Sequence, residues 1–255
     1  MSTDKIVAKN LTIGYDEKII IKNASFAVKN HDIFIIMGGS GCGKSTMLKV
    51  LTGLIPPISG EFFIDSTNYL QASDAEKLSI MKKIGILYQS GGLFSSMTLA
   101  ENVALPLQKY SSYSPDTIKD LVNLKLALVG LNGYNDYYPS EISGGMKKRA
   151  GLARALALDP EIVFFDEPSA GLDPLSSARL DTLMLEINQN LGTTLVVVTH
   201  ELQSIFDIGS NSVFLSNKTK NIQAKGNPKD LLQNPPNEEV FSFLTRGINN
   251  EKTTR

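Results

Sequence analysis

Apolar runs bounded by glycine, proline and polar residues recur along the chain, and segments of helical periodicity separate them. Four such runs are residues 33–37, 84–88, 162–165 and 195–199. A continuous apolar run of this length is typical of a strand buried on both faces, and the run at 162–165 has the flanks of a parallel central strand. The pattern therefore predicts an α/β domain.

The two ends of the chain have weaker patterns. Apolar residues alternate with polar or small ones at 11–15 and again at 26–28, which predicts short strands in the N-terminal part. Residues 212–225 predict a hairpin at a sheet edge. The residues from 231 to 255 are mostly polar, with one possible helix at 238–244, and we interpret them as a C-terminal tail that is either a docking segment or frayed.

The part from residue 93 to residue 140 lacks any strand pattern. Helices are predicted at about 99–108 and 114–130, so we expect a helical insert within the α/β domain. Its apolar start is either plain core or a surface patch for another subunit; the residues concerned are Leu93, Phe94, Met97 and Leu99. A later helix, beginning near residue 174, is predicted to bury one face formed by Leu180, Leu183, Met184, Ile187 and Leu191.

A glycine-rich segment, GGSGCGKST at residues 38–46, lies between the first apolar run and a segment of helical character. Strand, glycine loop and helix in this order are the context of a phosphate-binding loop. Gly38, Gly41 and Gly43 permit positive φ, so backbone N–H groups can approach an anion, and the following helix presents its N-terminus to the same anion. Lys44 supplies a charge for the β- and γ-phosphates.

The predicted phosphate-binding residues are Gly38, Gly39, Ser40, Gly41, Cys42, Gly43, Lys44, Ser45 and Thr46. The Ser45 hydroxyl is placed to ligate Mg²⁺. A glycine-rich strand–helix turn without a ligand would not require lysine and serine directly after the last glycine, so the pattern favours the phosphate loop.

Polar side chains follow three of the apolar runs, where α/β sheets bind ligands. Asp166 is predicted to hold Mg²⁺ through water, beside the Ser45 hydroxyl, and Glu167 to orient or deprotonate an attacking water. Gln89 suits a ligand sensor, although an ordinary strand-end glutamine is an equal alternative. For His200 we favour function over a structural role, because of its position at the end of a strand.

A second helix starts at Ser143-Gly144-Gly145 and continues into Met146, Lys147, Lys148 and Arg149. Its first N–H groups are open to an anion, yet the chain has only one complete nucleotide loop. One chain's Ser143 would then face a nucleotide held by another chain, which predicts a head-to-tail dimer with two shared sites. The alternative is a capped helix with a basic first turn. Three cations near a positive helix end are unfavourable without an anion, which argues against it.

Composition restricts the remaining possibilities. The chain has 255 residues, 42% hydrophobic residues and a net charge of −1, which predicts one large domain, or a domain with a subdomain, and no nucleic-acid partner. The lone cysteine, Cys42, excludes an intramolecular disulfide and fits a reducing compartment. The start, MSTDKIVAKN, has no apolar signal core, and no apolar run approaches the roughly 20 residues of a membrane span. We therefore expect a cytosolic chain whose membrane role would come through a partner.

The ordered set of motifs closely resembles an ABC-transporter ATPase subunit, and the resemblance extends to about residue 230. The motifs are Tyr15, GGSGCGKST, Gln89, Ser143-Gly144-Gly145, residues 162–167, Asp173 and His200. The resemblance implies a P-loop NTPase (RecA-like) core with an N-terminal antiparallel β region and an inserted helical subdomain at about 91–158. It implies an ABC ATPase domain at residues 1–230, the cofactors ATP and Mg²⁺, and an ATP-sandwich homodimer.

Position by position, the resemblance implies that Tyr15 stacks on adenine, although its spacing alone favours an ordinary strand-end tyrosine. Gln89 would sense Mg²⁺ and the attacking water, and Glu167 would be the general base. Asp173 would act across the dimer interface and His200 would contact the γ-phosphate. Residues 143–145 would contact the γ-phosphate of the opposing subunit's ATP.

The fifth position of the Ser-Gly-Gly motif departs from the usual glutamine and is Met146. This form, together with GGLFSSMTLAENVALPL at residues 91–107, resembles the ATPases of Mla-type phospholipid transporters, which work with MCE-domain proteins. That resemblance implies phospholipid transport between bacterial membranes, a separate permease that docks near 91–107, and a location on the cytoplasmic face of the inner membrane. Met146 cannot offer the glutamine's hydrogen bond.

Other functions remain as alternatives. Within transport, the main one is the ATPase of a lipoprotein-releasing or other ABC transporter, since a related ENVALPL-like run occurs there. Outside transport, a soluble ABC ATPase could act as a scaffold in iron–sulfur cluster assembly. A ribosome- or nucleic-acid-associated ABC protein is disfavoured, because the sequence shows neither a second cassette nor a long coiled coil.

Overall fold

The computed structural model describes residues 4–15 and 18–246. The strands of these residues, in chain order, are β1 (Asp4–Tyr15), β2 (Lys18–Lys29), β3 (Ile33–Gly38), β4 (Ser59–Ile64), β5 (Thr67–Asn68), β6 (Ile84–Leu87), β7 (Ile162–Asp166), β8 (Thr194–Val198), β9 (Asn211–Leu215) and β10 (Ile222–Gly226). The helices are α1 (Lys44–Leu51), α2 (Asp74–Lys82), α3 (Leu99–Tyr110), α4 (Pro115–Leu128), α5 (Gly144–Ala155), α6 (Pro174–Leu191), α7 (Leu202–Ile208), α8 (Pro228–Gln233) and α9 (Glu238–Leu244). A short 3₁₀ turn covers Pro139–Glu141.

The chain divides into two compact units. The first comprises Met1–Gln71 and Val198–Arg255, and the second is Ala72–Val197. Among the described residues, no helix combines the length and the apolar character needed to cross a membrane. The predicted domain boundary at residue 230 stays a prediction, and residues 247–255 of the predicted tail lie outside the described residues.

The first unit contains an antiparallel sheet in which β1 lies between β2 and β4, and β5 follows β4. The alternation seen in the sequence has the expected result, because Leu11 and Ile13 are fully buried while Tyr15 is exposed. Strand β9 pairs parallel to β3 and antiparallel to β10, which confirms the predicted hairpin. Every residue of β3 is buried, as its uninterrupted apolar run requires.

The C-terminal part of the first unit is ordered where the structure describes it. The predicted helix at 238–244 is confirmed as α9, with Val240 and Leu244 buried. Phe243 of α9 packs edge-on against Phe214 of β9, with ring centroids 5.2 Å apart. The Ser216 hydroxyl donates 2.8 Å hydrogen bonds to the Glu239 carboxylate. Packing and a polar contact therefore fix this helix on the strand next to β3.

In the second unit, β7 lies between β6 and β8, and β6 runs parallel to β7. Helices α3, α4 and α5 occupy the predicted helical insert, and the described residues from 91 to 158 include no strand. Each of the three begins at a serine or threonine N-cap, which explains why local sequence located them well. The α/β class with a helical insert is confirmed.

Two predictions about apolar faces need correction. Leu191 was expected on the buried face of α6, but it is 50% exposed because α6 ends there, before Gly192 at φ 66°. The apolar start of the insert is neither wholly core nor wholly surface. Leu99 is fully buried in the first turn of α3, whereas Phe94 in the preceding loop is 50% exposed.

Candidate active site

The glycine loop connects β3 to α1 in the first unit with the backbone that the sequence predicts. Gly38, Gly41 and Gly43 have φ of 147°, 74° and 99°, a region that L side chains rarely adopt. A Cβ at Gly43 would lie 2.6 Å from the Ile20 Cγ2 atom, so the loop also has no room for a side chain there. The predicted reason for glycine at these positions is confirmed.

Lys44, the first residue of α1, lies against this loop. Its side chain is only 8% exposed, and its Nζ donates to the carbonyl oxygens of Gly38 at 2.9 Å and Gly39 at 3.2 Å. The N-cap, Gly43, has no side chain that could satisfy the first N–H groups of α1. A cation and a helix N-terminus thus meet at one loop, which is the arrangement that binds phosphate.

Sequence reasoning missed one neighbour of this loop. Asn217 follows β9, and its Nδ2 atom lies 3.8 Å from the position that a Cβ on Gly41 would take. It lies beside the loop because β9 pairs with β3, with Leu215 opposite Gly38. No local sequence pattern could predict this proximity, because Asn217 and Gly41 are 176 positions apart in the chain.

Two other predicted residues of the first unit are accessible to a ligand. Tyr15, at the end of β1, is 44% exposed. His200 follows β8, and its side chain is 54% exposed with Nε2 3.9 Å from the Glu201 Oε1 atom. Accessibility is necessary for base stacking and for phosphate contact, and both roles stay predictions.

In the second unit, strand register brings Gln89 and Glu167 to one sheet edge. Leu87 pairs with Phe165 in parallel β6 and β7, and each polar residue lies two positions after its strand partner. Asp166 ends β7, and Asp166 and Glu167 are both partly exposed. The carboxyl ends of parallel strands are where α/β sheets bind ligands.

Glu167 has an unusual backbone. Its φ is 48°, in the left-handed region, although it is not glycine. Such a conformation costs about 1–3 kcal/mol and persists only where surrounding structure imposes it. Local strain of this kind clusters at functional positions.

The start of α5 has the predicted cap. The Ser143 side chain accepts a hydrogen bond from the Met146 N–H at 3.3 Å, while the N–H groups of Gly144 and Gly145 lack a capping acceptor among the described residues. A Cβ on Gly145 would lie 3.4 Å from the Ser176 Oγ atom. The start of α5 therefore lies against the first turn of α6.

Asp173 is the N-cap of α6, as predicted, and accepts a 3.0 Å hydrogen bond from the Ser176 N–H. Hydrogen bonds from Ser176 lower the pKa of the Asp173 carboxyl, so this side chain is an anion at neutral pH. The predicted residues Ser143–Gly145 and Asp173 are thus brought together through Ser176.

Two of the three cations in the first turns of α5 are not free to attract an anion, which corrects the prediction that they need one. Lys148 is buried and bonds to carbonyl oxygens. Arg149 donates to the carbonyl oxygens of Val129 at 2.8 Å and Gly130 at 3.0 Å. Because backbone acceptors already serve these two cations, an external anion is not needed to explain them.

Asn102 on α3 is a further residue that sequence reasoning missed. It is fully buried and holds the loop before α3. Its Oδ1 accepts from the Phe94 N–H at 2.8 Å, and its Nδ2 donates to the carbonyl oxygens of Phe94, Met97 and Thr98 at 2.9–3.1 Å. This one side chain therefore fixes the segment that presents Phe94 to solvent.

We expect Asn102→Ala to lower the free energy of unfolding by about 1–3 kcal/mol, because it leaves a buried N–H without its acceptor. Urea denaturation followed by circular dichroism measures the change. Asn190→Ala, an exposed asparagine on α6, is the matched control and should stay within about 0.5 kcal/mol. Equal stability of the two variants would contradict the role of Asn102.

The exposed Phe94 ring borders a groove of about 500 Å³ in the second unit. The groove is lined mainly by apolar side chains from α2, β6 and α3 and by Tyr88, the residue after β6; they include Leu78, Met81, Leu105 and Tyr110. The Arg154 guanidinium lies over the Phe94 ring, 5.6 Å from its centroid. We call this surface the apolar groove.

Residues 21–170 match the family model described as ABC transporter. The intermembrane phospholipid transport system ATP-binding protein MlaF of Haemophilus influenzae is 37% identical, over 96% of this chain and 91% of its own length. The "Probable ribonucleotide transport ATP-binding protein mkl" of Mycobacterium tuberculosis is 40% identical. That alignment covers 84% of this chain and 59% of the length of that protein.

Among solved structures, the chain resembles the dimeric ATP-binding cassette MJ0796 in a post-hydrolysis state bound to ADP and Pi. The TM-score is 0.79 at 31% identity, over 87% of this chain and 98% of that one. The predicted P-loop NTPase fold is thereby confirmed. Together with the phosphate loop at β3 and α1, these similarities establish that the chain belongs to the ABC transporter ATP-binding family and is an ATP hydrolase.

Proposed function

We propose that this chain is the ATPase subunit of an ABC transporter that moves phospholipids between bacterial membranes. The observation that carries the proposal is the similarity over nearly the full length of both chains to a protein named for intermembrane phospholipid transport. The Met146 form of the Ser-Gly-Gly motif and the sequence 91–107 support the same substrate class. The relative named for ribonucleotide transport makes another transported substrate the alternative.

In the proposed catalytic cycle, Tyr15 stacks on adenine and the loop at 38–46 binds the phosphates. Glu167 takes a proton from a water whose oxygen attacks the γ-phosphorus, and the bond from that phosphorus to the β–γ bridging oxygen breaks. ADP and phosphate are the products. Gln89 positions the attacking water from the same sheet edge, and His200 contacts the γ-phosphate.

Mg²⁺ is proposed to accompany the nucleotide. The proposed protein donors are the Ser45 hydroxyl, the Gln89 side-chain oxygen and, through water, the Asp166 carboxylate, a hard-oxygen set that suits this ion. Among the described residues no cluster of three or more His, Cys, Asp or Glu side chains could hold a metal, which agrees with an ion held largely by phosphate and water. When bound, Mg²⁺ neutralises charge on the β- and γ-phosphates.

Two copies of the chain are proposed to enclose two nucleotides head to tail. The open N–H groups at Gly144 and Gly145 would contact the γ-phosphate held by the other copy, with Asp173 beside them at the interface. The dimeric cassette of known structure supports this arrangement. Each catalytic centre would then be complete only in the closed dimer.

A separate membrane permease is proposed to dock in the apolar groove, near residues 91–107. Support comes from the clustering of exposed apolar side chains at this groove: Phe94 is 50% exposed, and Leu78, Met81 and Tyr110, which also line the groove, are 36–49% exposed. An MCE-domain protein is the proposed further partner. Through the permease, the chain would lie on the cytoplasmic face of the inner membrane.

We expect the protein, purified in mild detergent from its source membranes, to retain a permease, an MCE-domain protein and phospholipid, identified by mass spectrometry. Phe94→Glu should release all three, because it places a charge in an apolar contact, while nucleotide binding persists. Tyr113→Glu, an equally exposed aromatic residue (53%) outside the groove, is the matched control and should retain them.

Recovery of a soluble scaffold complex without a permease would overturn the transport proposal. Recovery of a permease with lipoproteins instead of phospholipid would favour the export alternative. If Phe94→Glu retains its partners as well as Tyr113→Glu does, the docking site is not the apolar groove.

A further inference from the structure

The turn after β7 receives a buried ammonium group from α5. Lys148 is 5% exposed, and its Nζ donates to the carbonyl oxygens of Pro168 and Ala170, each at 2.6 Å, and of Glu167 at 3.5 Å. Three acceptors from one turn of four residues thus converge on one cation. Lys148 therefore contacts this turn through its backbone carbonyl groups.

The turn needs such support because Glu167 is in the left-handed region with φ of 48°. A backbone hydrogen bond, from the Ala170 N–H to the Glu167 carbonyl at 3.2 Å, closes the turn. A strained residue holds its conformation only if its surroundings impose it. Lys148 supplies three further bonds, and their acceptors are the carbonyl groups of Glu167 itself and of two residues that follow it in the turn.

Lys148 is attached to a rigid element that begins at another proposed site. It lies five residues after Ser143, the N-cap of α5, which is about one and a half helical turns along the helix. A displacement at the start of α5 would therefore reach the Glu167 turn through this side chain. Burial lowers the pKa of Lys148 while the nearby charge of Glu167 opposes that effect.

An ordinary buried lysine is the alternative, and the same unit contains one. Lys125 on α4 is 4% exposed and forms an ion pair with the Asp159 carboxylate. Its partner is one exposed carboxylate, whereas the partners of Lys148 are backbone carbonyl groups; Asp159, like Glu167, has a left-handed backbone, with φ of 50°. This difference makes Lys125 the matched control for the removal of a buried ammonium.

We propose that Lys148 is a positioning residue for ATP hydrolysis: it holds the turn at 167–170 so that the Glu167 carboxylate points at the attacking water. The inference rests on the proposed role of Glu167 as general base. Lys148 itself would not contact nucleotide or water.

The test compares steady-state ATP hydrolysis by Lys148→Met and Lys125→Met in the full-length protein. We expect Lys148→Met to lower kcat about 10- to 100-fold, the scale of a misplacement near 1 Å, with KM for ATP changed less than about threefold. Lys125→Met should keep kcat within about twofold. Lys148→Gln, which retains a hydrogen-bond donor, should recover part of the loss.

A double-mutant comparison separates positioning from general damage. In a Glu167→Gln background, Lys148→Met should change the residual rate less than about twofold. That background lacks the carboxylate whose orientation Lys148 is proposed to fix. Equal effects in both backgrounds would overturn the proposal, as would an unchanged kcat in Lys148→Met. Loss of the folded state in both Lys148 variants, judged by thermal melting, would show a structural role and also overturn it.

The two proposals fail in different ways. If Glu167→Gln alone hydrolyses ATP normally, the role of Glu167 as base is wrong and Lys148 has nothing to position. If Glu167→Gln is inactive while Lys148→Met is fully active, only the inference about Lys148 is wrong.

Discussion

Replacing Glu167 with glutamine is expected to lower the rate of ATP hydrolysis by at least about 10²-fold, the low end of what a general base contributes. Glutamine keeps the size of the side chain and can still hydrogen-bond a water, but it cannot accept the water's proton at neutral pH. The left-handed backbone at φ 48° is as available to glutamine as to glutamate. Phosphate release in a coupled assay measures the rate.

ATP binding should survive this change, because Glu167 is not among the residues proposed to hold the phosphates. Titration calorimetry with ATP should give a Kd within about threefold of the unmodified protein. Without hydrolysis to reopen the dimer, the variant should also accumulate as a dimer in ATP, seen by size-exclusion chromatography with light scattering.

Glu186→Gln removes an exposed carboxylate from α6 of the same unit and serves as the control, with hydrolysis and oligomeric state unchanged. Near-normal hydrolysis by Glu167→Gln would remove Glu167 from the role of base. A variant that binds ATP but stays monomeric would contradict the shared sites of the proposed dimer.

Those parts of the fold that depend on local chemistry could be predicted from sequence. The order of strand, glycine loop and helix at 33–54 is set by glycines that need positive φ and by a helix that begins at Lys44. Asp173 followed by Pro174 specifies the start of α6 in the same way, as cap and first helical residue. These signals lie within a few residues of the feature that they determine.

The parts that sequence reasoning missed depend on contacts between distant residues. Lys148 looked like one of three cations on a helix surface, but its acceptors lie 19–22 residues further along the chain. The amide of Asn102 is buried because the loop before α3 folds back on it. Phe94 and Leu99 are equally apolar in sequence, and only the tertiary fold decides that one is exposed and the other buried.

Lys44→Ala is expected to weaken ATP binding by at least about 100-fold in Kd, because one or two charge-assisted hydrogen bonds to the phosphates would be lost at roughly 1.5–3 kcal/mol each. In the structure its Nζ lies within 3.2 Å of two loop carbonyl groups, at the N-terminus of α1 where a phosphate would bind. The dipole of α1 and the N–H groups of the glycine loop remain in the variant, but the positive charge of the Lys44 side chain is lost.

Titration calorimetry with Mg²⁺-ATP measures the loss, and circular dichroism checks that the variant is folded. Lys49→Ala removes an exposed lysine from the same helix, so it changes the net charge equally without touching the loop, and its affinity should stay within about threefold. Each variant removes one positive charge, so a general electrostatic attraction between the protein and ATP would weaken equally in both. A loss of affinity in Lys44→Ala alone therefore reports a specific contact. Unchanged affinity in a folded Lys44→Ala protein would show that the segment at 38–46 does not bind phosphate through this lysine.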